Sequence, residues 1–163
     1  MTTHNHNAAT TGIKGEELLR INIESYGLSL WSKHKGHFPE DKERRGLIEF
    51  PSPYDNGTFN SDGYIPELDI VVEYKYGTKH GTTEEKIFFD LQKIRDGVYG
   101  QKKLIYIFAG TVENPSSTVT NRCWARTFEQ IAKKENLPVT VIFARLQEDG
   151  SMPGLKEALF PSE

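Results

Sequence analysis

Residues 68–77, "LDIVVEYKYG", set Leu68, Ile70, Val72 and Tyr74 in alternation with Asp69, Val71, Glu73 and Lys75. Successive side chains of a strand point to opposite faces, so the spacing predicts a β-strand whose second face carries Asp69, Glu73 and Lys75 around a valine. Burying a carboxylate or an ammonium costs several kcal/mol per ion unless it is paired or binds a metal. An acid, any residue and a lysine also occur at Glu40-Asp41-Lys42 and Glu84-Glu85-Lys86. Those two copies fall in a charged loop and at a helix start. Only Glu73 and Lys75 interrupt an apolar strand.

Working outward, Thr82-Thr83-Glu84-Glu85 has capping-box spacing, and Ile87, Leu91 and Ile94 give the stripe of a helix that Gly97 ends. "KLIYIFAG" (103–110) reads as a buried strand. Trp124, Phe128 and Ile131 mark a helix over 121–135, and "VTVIFA" (139–144) a last core strand. Upstream, "GLIEF" (46–50) reads as a strand closed by Pro51 and Pro53. Asn56-Gly57 is a tight-turn candidate, and "YI" (64–65) leads into a second turn at Pro66-Glu67, so that two or three neighbouring antiparallel strands are expected here. Leu18, Leu19, Ile21, Ile23 and Tyr26 predict a first helix ended by Gly27. The order α, β, β, β, α, β, α, β implies an α/β fold with a mixed central β-sheet flanked by helices.

At 163 residues the chain suits one domain with a single sizeable core. Residues 1–11, "MTTHNHNAATT", are expected as a disordered tail and 12–163 as that domain. No apolar run of 18 residues and no signal-peptide pattern is found, so a soluble protein without a membrane partner is expected. Cys123 is the only cysteine, which rules out an internal disulfide and fits a cytoplasmic setting. The net charge of −3 disfavours a simple nonspecific nucleic-acid binder, but "KHKGHFPEDKERR" (33–45) is locally basic.

Glu73 offers the hard oxygen ligand that Mg²⁺ prefers. Lys75, about 6.6 Å further along a strand, would orient or deprotonate a water beside the metal, or stabilise charge on a phosphate. A second acid is needed. Asp62 precedes Glu73 by eleven residues, a span suited to a short hairpin. Asp69 is the alternative, though it lies about 13 Å away on the same strand. Without a metal, Asp62 is a turn residue before Gly63, and Glu73 and Lys75 are a surface ion pair.

Together, "SDGYIPELDIVVEYK" resembles the signature of the PD-(D/E)XK nucleases, which include many type II restriction endonucleases. The family's acid, acid and lysine fall on Asp62, Glu73 and Lys75; Ser61 stands where the family often has proline. The first helix has a family-like spacing in Glu16, Leu19, Ile23 and Gly27, with Glu17 as the alternative to Glu16. The element order matches the restriction-endonuclease-like αβββαβ core with an added helix and strand.

The resemblance implies a Mg²⁺-dependent, sequence-specific endonuclease using one or two ions, with Asp62 and Glu73 as metal ligands. Lys75 and Glu16 would complete the catalytic set, and the products would carry 5′-phosphates. Its expected partners are double-stranded DNA and a second copy in a homodimer. Lys33, Lys35, Arg44, Arg45, Lys102 and Lys103 are candidate DNA contacts. A homing endonuclease or Holliday-junction resolvase is the alternative within the superfamily. A non-catalytic nucleic-acid-binding module is the alternative outside it.

Overall fold

The computed structural model describes residues 8–33, 42–76, 83–111 and 123–161. Helix α1 (Ala8–Ser25) and the short α2 (Lys42–Arg45) lead into β1 (Glu49–Pro51) and β2 (Thr58–Asn60). Strands β3 (Gly63–Ile65) and β4 (Ile70–Tyr76) follow, then α3 (Thr83–Arg95), β5 (Lys103–Thr111), α4 (Cys123–Lys134), β6 (Val139–Leu146) and α5 (Leu155–Leu159). The α/β class and the mixed sheet are as expected.

A four-stranded sheet runs in the order β3-β4-β5-β6. β3 is antiparallel to β4, while β4, β5 and β6 are parallel. Each parallel step crosses over through a helix, α3 and then α4, as parallel pairing requires. Strand alternation sorts the sheet's side chains into two clusters. Ile70, Val72, Tyr74, Ile105 and Ile107 pack with Leu19 and Ile23 of α1 and Leu155 and Leu159 of α5. Val71, Leu104, Tyr106 and Phe108 pack with Ile87, Leu91 and Ile94 of α3 and Phe128 of α4. The sheet is thus covered on both faces, which explains the near-continuous apolar runs of β4 and β5.

Three expectations are corrected in detail. The strand predicted over 68–77 begins at Ile70, because Asp69 takes a left-handed φ of 54° in the turn before it. The strand predicted over 46–50 is β1, and it pairs with β2 as a separate two-stranded sheet rather than joining the central one. Its connection is closed by Ser52 N–H donating to the Gly57 carbonyl (2.9 Å). Helix α1 already holds residues 8–11, so the tail expected over 1–11 does not extend that far. Helices α2 and α5 had no counterpart in the sequence reading. Thr82, the expected cap of α3, lies outside the described residues.

Candidate functional site

The β3–β4 hairpin sets Gly63 opposite Val72, and continuing that register one step brings Asp62 opposite Glu73. Asp62 Oδ2 accepts a 2.7 Å hydrogen bond from the Tyr74 amide, which fastens the acid to the β4 backbone. Lys75 Nζ lies 3.9 Å from that same oxygen. Residues 62, 73 and 75 are therefore brought together, as their spacing predicted. Asp69 is not part of the group: its carboxylate binds Lys102 Nζ at 2.7 Å and accepts from the Tyr64 hydroxyl.

Glu73 and Lys75 share the face of β4 that looks toward α3, since β4 pairs Glu73 with Tyr106 and Lys75 with Phe108. Helix α3 supplies a third acid there. Asp90 follows Ile87 by three residues and precedes Ile94 by four, so the helical repeat turns it inward with the core stripe. It is 5% exposed. Its Oδ2 accepts from the Tyr106 hydroxyl (2.6 Å) and lies 3.5 Å from Lys75 Nζ, while its Oδ1 binds Lys93 Nζ at 2.8 Å. The Tyr99 hydroxyl donates to Glu73 Oε1 at 3.2 Å.

Glu73 is 3% exposed. Burial pushes its carboxyl well above the ordinary range, and the Asp62 and Asp90 carboxylates push it further against the opposing pull of Lys75 and Lys93. Burial works against the Lys75 ammonium, but Asp62, Glu73 and Asp90 together outweigh it and raise its pKa. Burial also raises the Tyr99 and Tyr106 hydroxyls, joined by the Glu73 charge for Tyr99 and the Asp90 charge for Tyr106. Both phenols stay protonated and act as donors. The result is a compact alternation of carboxylates and ammonium groups on the inner wall of an otherwise apolar layer.

Helix α1 packs on the other face of β4, through Leu19 and Ile23. Glu16 lies on that helix and acts electrostatically on Arg20, one turn on. The charges acting on Glu73 and Lys75 come from each other and from Asp62, Asp90 and, for Glu73, Lys93.

The candidate DNA contacts are spread out. Lys33 pairs with Glu49 at 2.8 Å and Lys102 with Asp69. Lys103 pairs with Ile70 across the strands, three positions from Glu73, or about 10 Å along β4. The Arg44 guanidinium stacks 5.5 Å above Trp31, and Arg45 is exposed on α2. Lys35 lies outside the described residues.

Asp62 and Glu73 suit Mg²⁺, which commonly takes one or two carboxylates and completes its shell with water and phosphate oxygens. Among the described residues there is no group of three or more His, Cys, Asp or Glu placed to cage a metal. Asp90, Lys93, Tyr99 and Tyr106 escaped the sequence reading. Asp90 left a usable signal, an acid inside the apolar stripe of a helix. No family model matches this chain, and no curated protein or solved structure does so either. No helix among the described residues is long and apolar enough to cross a membrane.

Proposed function

We propose that the chain is a Mg²⁺-dependent endonuclease that hydrolyses phosphodiester bonds in double-stranded DNA. The observation that carries this reading is the convergence of the half-buried Asp62 and Lys75 with the buried Glu73 on one face of the β3–β4 hairpin. The helix–strands–helix–strand order supports a restriction-endonuclease-like core, although four strands precede α3 and two of them, β1 and β2, stand apart as their own sheet.

Asp62 and Glu73 would hold the ion, which when bound polarises the scissile phosphate and acidifies a coordinated water. The raised pKa of Lys75 favours the ammonium, so among its conceivable roles the cationic one is preferred: orienting the water and offsetting charge on the phosphate. Asp90 keeps that ammonium in position from α3. Sequence-specific, restriction-type cleavage by a homodimer leaving 5′-phosphates is the leading subclass, and junction resolution or homing cleavage is the alternative.

Incubation with plasmid and phage DNA tests the reading. Discrete fragments that require Mg²⁺, disappear with EDTA, and fall by at least about a hundredfold with Lys75→Ala are expected. DNA left intact in every condition would refute it and favour a binding module without chemistry.

A further inference from the structure

Beside the acidic group, three aromatic rings meet at the surface. Tyr54 from the β1–β2 connection, Phe59 of β2 and Phe89 of α3 have centroids 5.8 to 6.1 Å apart. Rings that served only to fasten the hairpin to α3 would be expected to bury themselves. Here Tyr54 is 47% exposed and Phe89 46%. The Tyr54 hydroxyl is tethered to Asp96, which holds the ring in place at the end of α3.

This cluster joins the site directly. Phe89 is the chain neighbour of Asp90, and the Lys93 ammonium that binds Asp90 lies 4.8 Å from the Phe59 ring centre and 5.6 Å from that of Phe89. Along one edge of α3, Lys86 precedes Phe89 by three residues and Lys93 follows it by four; Lys93 is 8% exposed and paired with Asp90. Lys86 is exposed. The three positions span about 10 Å of helix axis. Exposed rings with the solvent-facing Lys86 ammonium beside them complement a strand whose bases are free to stack and whose phosphate can pass that cation. A paired duplex keeps its base faces covered and has no use for exposed rings.

We propose that Tyr54, Phe59 and Phe89 form a stacking platform for unpaired bases of a single-stranded DNA segment continuous with the strand held at Asp62, Glu73 and Lys75. The inference rests on the nuclease reading of that site and adds that the duplex is opened beside the scissile phosphate, so that unpaired bases reach the rings.

The test is fluorescence anisotropy in EDTA with the full chain and three 20-nucleotide probes: a single strand, the matching duplex, and the single strand with abasic residues. The single strand should bind more tightly than the duplex. Phe89→Leu, which keeps an apolar packing group but removes the π face, should weaken it by about fivefold or more, and Phe89→Trp should restore it. The abasic strand should bind weakly to the wild type and lose nothing further with Phe89→Leu. Equal or tighter binding of duplex, or an equal loss on abasic and normal strands, would overturn the platform. The two readings separate cleanly. Base-dependent binding without Mg²⁺-dependent cleavage would sink the nuclease and keep the platform, whereas cleavage without base-dependent binding would do the reverse.

Discussion

Glu73 has an ordinary solvated counterpart that titrates near 4.5 and a folded environment that moves it upward. Its folded carboxyl therefore holds a proton that the unfolded chain releases. Below about pH 4.5 this contribution is fully present; it is lost progressively as pH rises through the raised folded value. Glu73→Gln keeps the shape and an oxygen for the Tyr99 hydroxyl while removing the titration. The expected outcome in metal-free buffer is a melting temperature above wild type at pH 8, by about 2–4 °C per ~1 kcal/mol relieved, with the gap closing toward pH 4.5. Parallel pH curves for the two proteins would contradict it. Mg²⁺ should in turn stabilise the wild type more as pH rises, because the ligand must lose its proton to bind. Thermal melts with and without Mg²⁺ at two pH values check this, and Glu73→Gln should abolish most of the shift.

At the scale of the element, the β3–β4 hairpin is what brings the two acids together, and Gly63 is its tightest point. A Cβ there would meet Leu30 Cδ1 at 2.6 Å and the Trp31 carbonyl oxygen at 3.3 Å. The leucine tip can shift, but the carbonyl is held, since Trp31 and Tyr64 exchange two 2.9 Å backbone hydrogen bonds. Gly63→Ala should therefore destabilise the fold by about 1–3 kcal/mol in denaturant titration and displace Asp62, one residue away. A neutral effect would mean that the hairpin yields freely. The same element shows why part of the site was readable in advance. The turn signals at Asn56-Gly57 and Pro66-Glu67 and the alternation after them are local, so a hairpin joining Asp62 to Glu73 was legible. Where β1 and β2 would pair was not, because three-residue strands carry too little pattern to choose a partner.

For the whole molecule, the four-stranded sheet separates two layers, with the acidic group on the α3–α4 side and α1 on the other. The described residues of one chain present one such group, so on the proposed nuclease reading cutting both strands of a duplex calls for two copies, most simply related by a twofold axis. Light scattering of the DNA-bound protein should give a protein component of twice the 18.5 kDa chain mass. A monomer on DNA would restrict each encounter to one strand. The apolar periodicities, the helix-ending glycines and the improbable Glu73-Tyr74-Lys75 were determined by the sequence alone, because each depends on neighbours a few residues apart. The inward role of Asp90, the phenol donors Tyr99 and Tyr106, the placement of α1 opposite Glu73 and the raised carboxyl itself were decided by the tertiary structure. They depend on which face of a helix meets which face of the sheet, and on the exclusion of water when the two close.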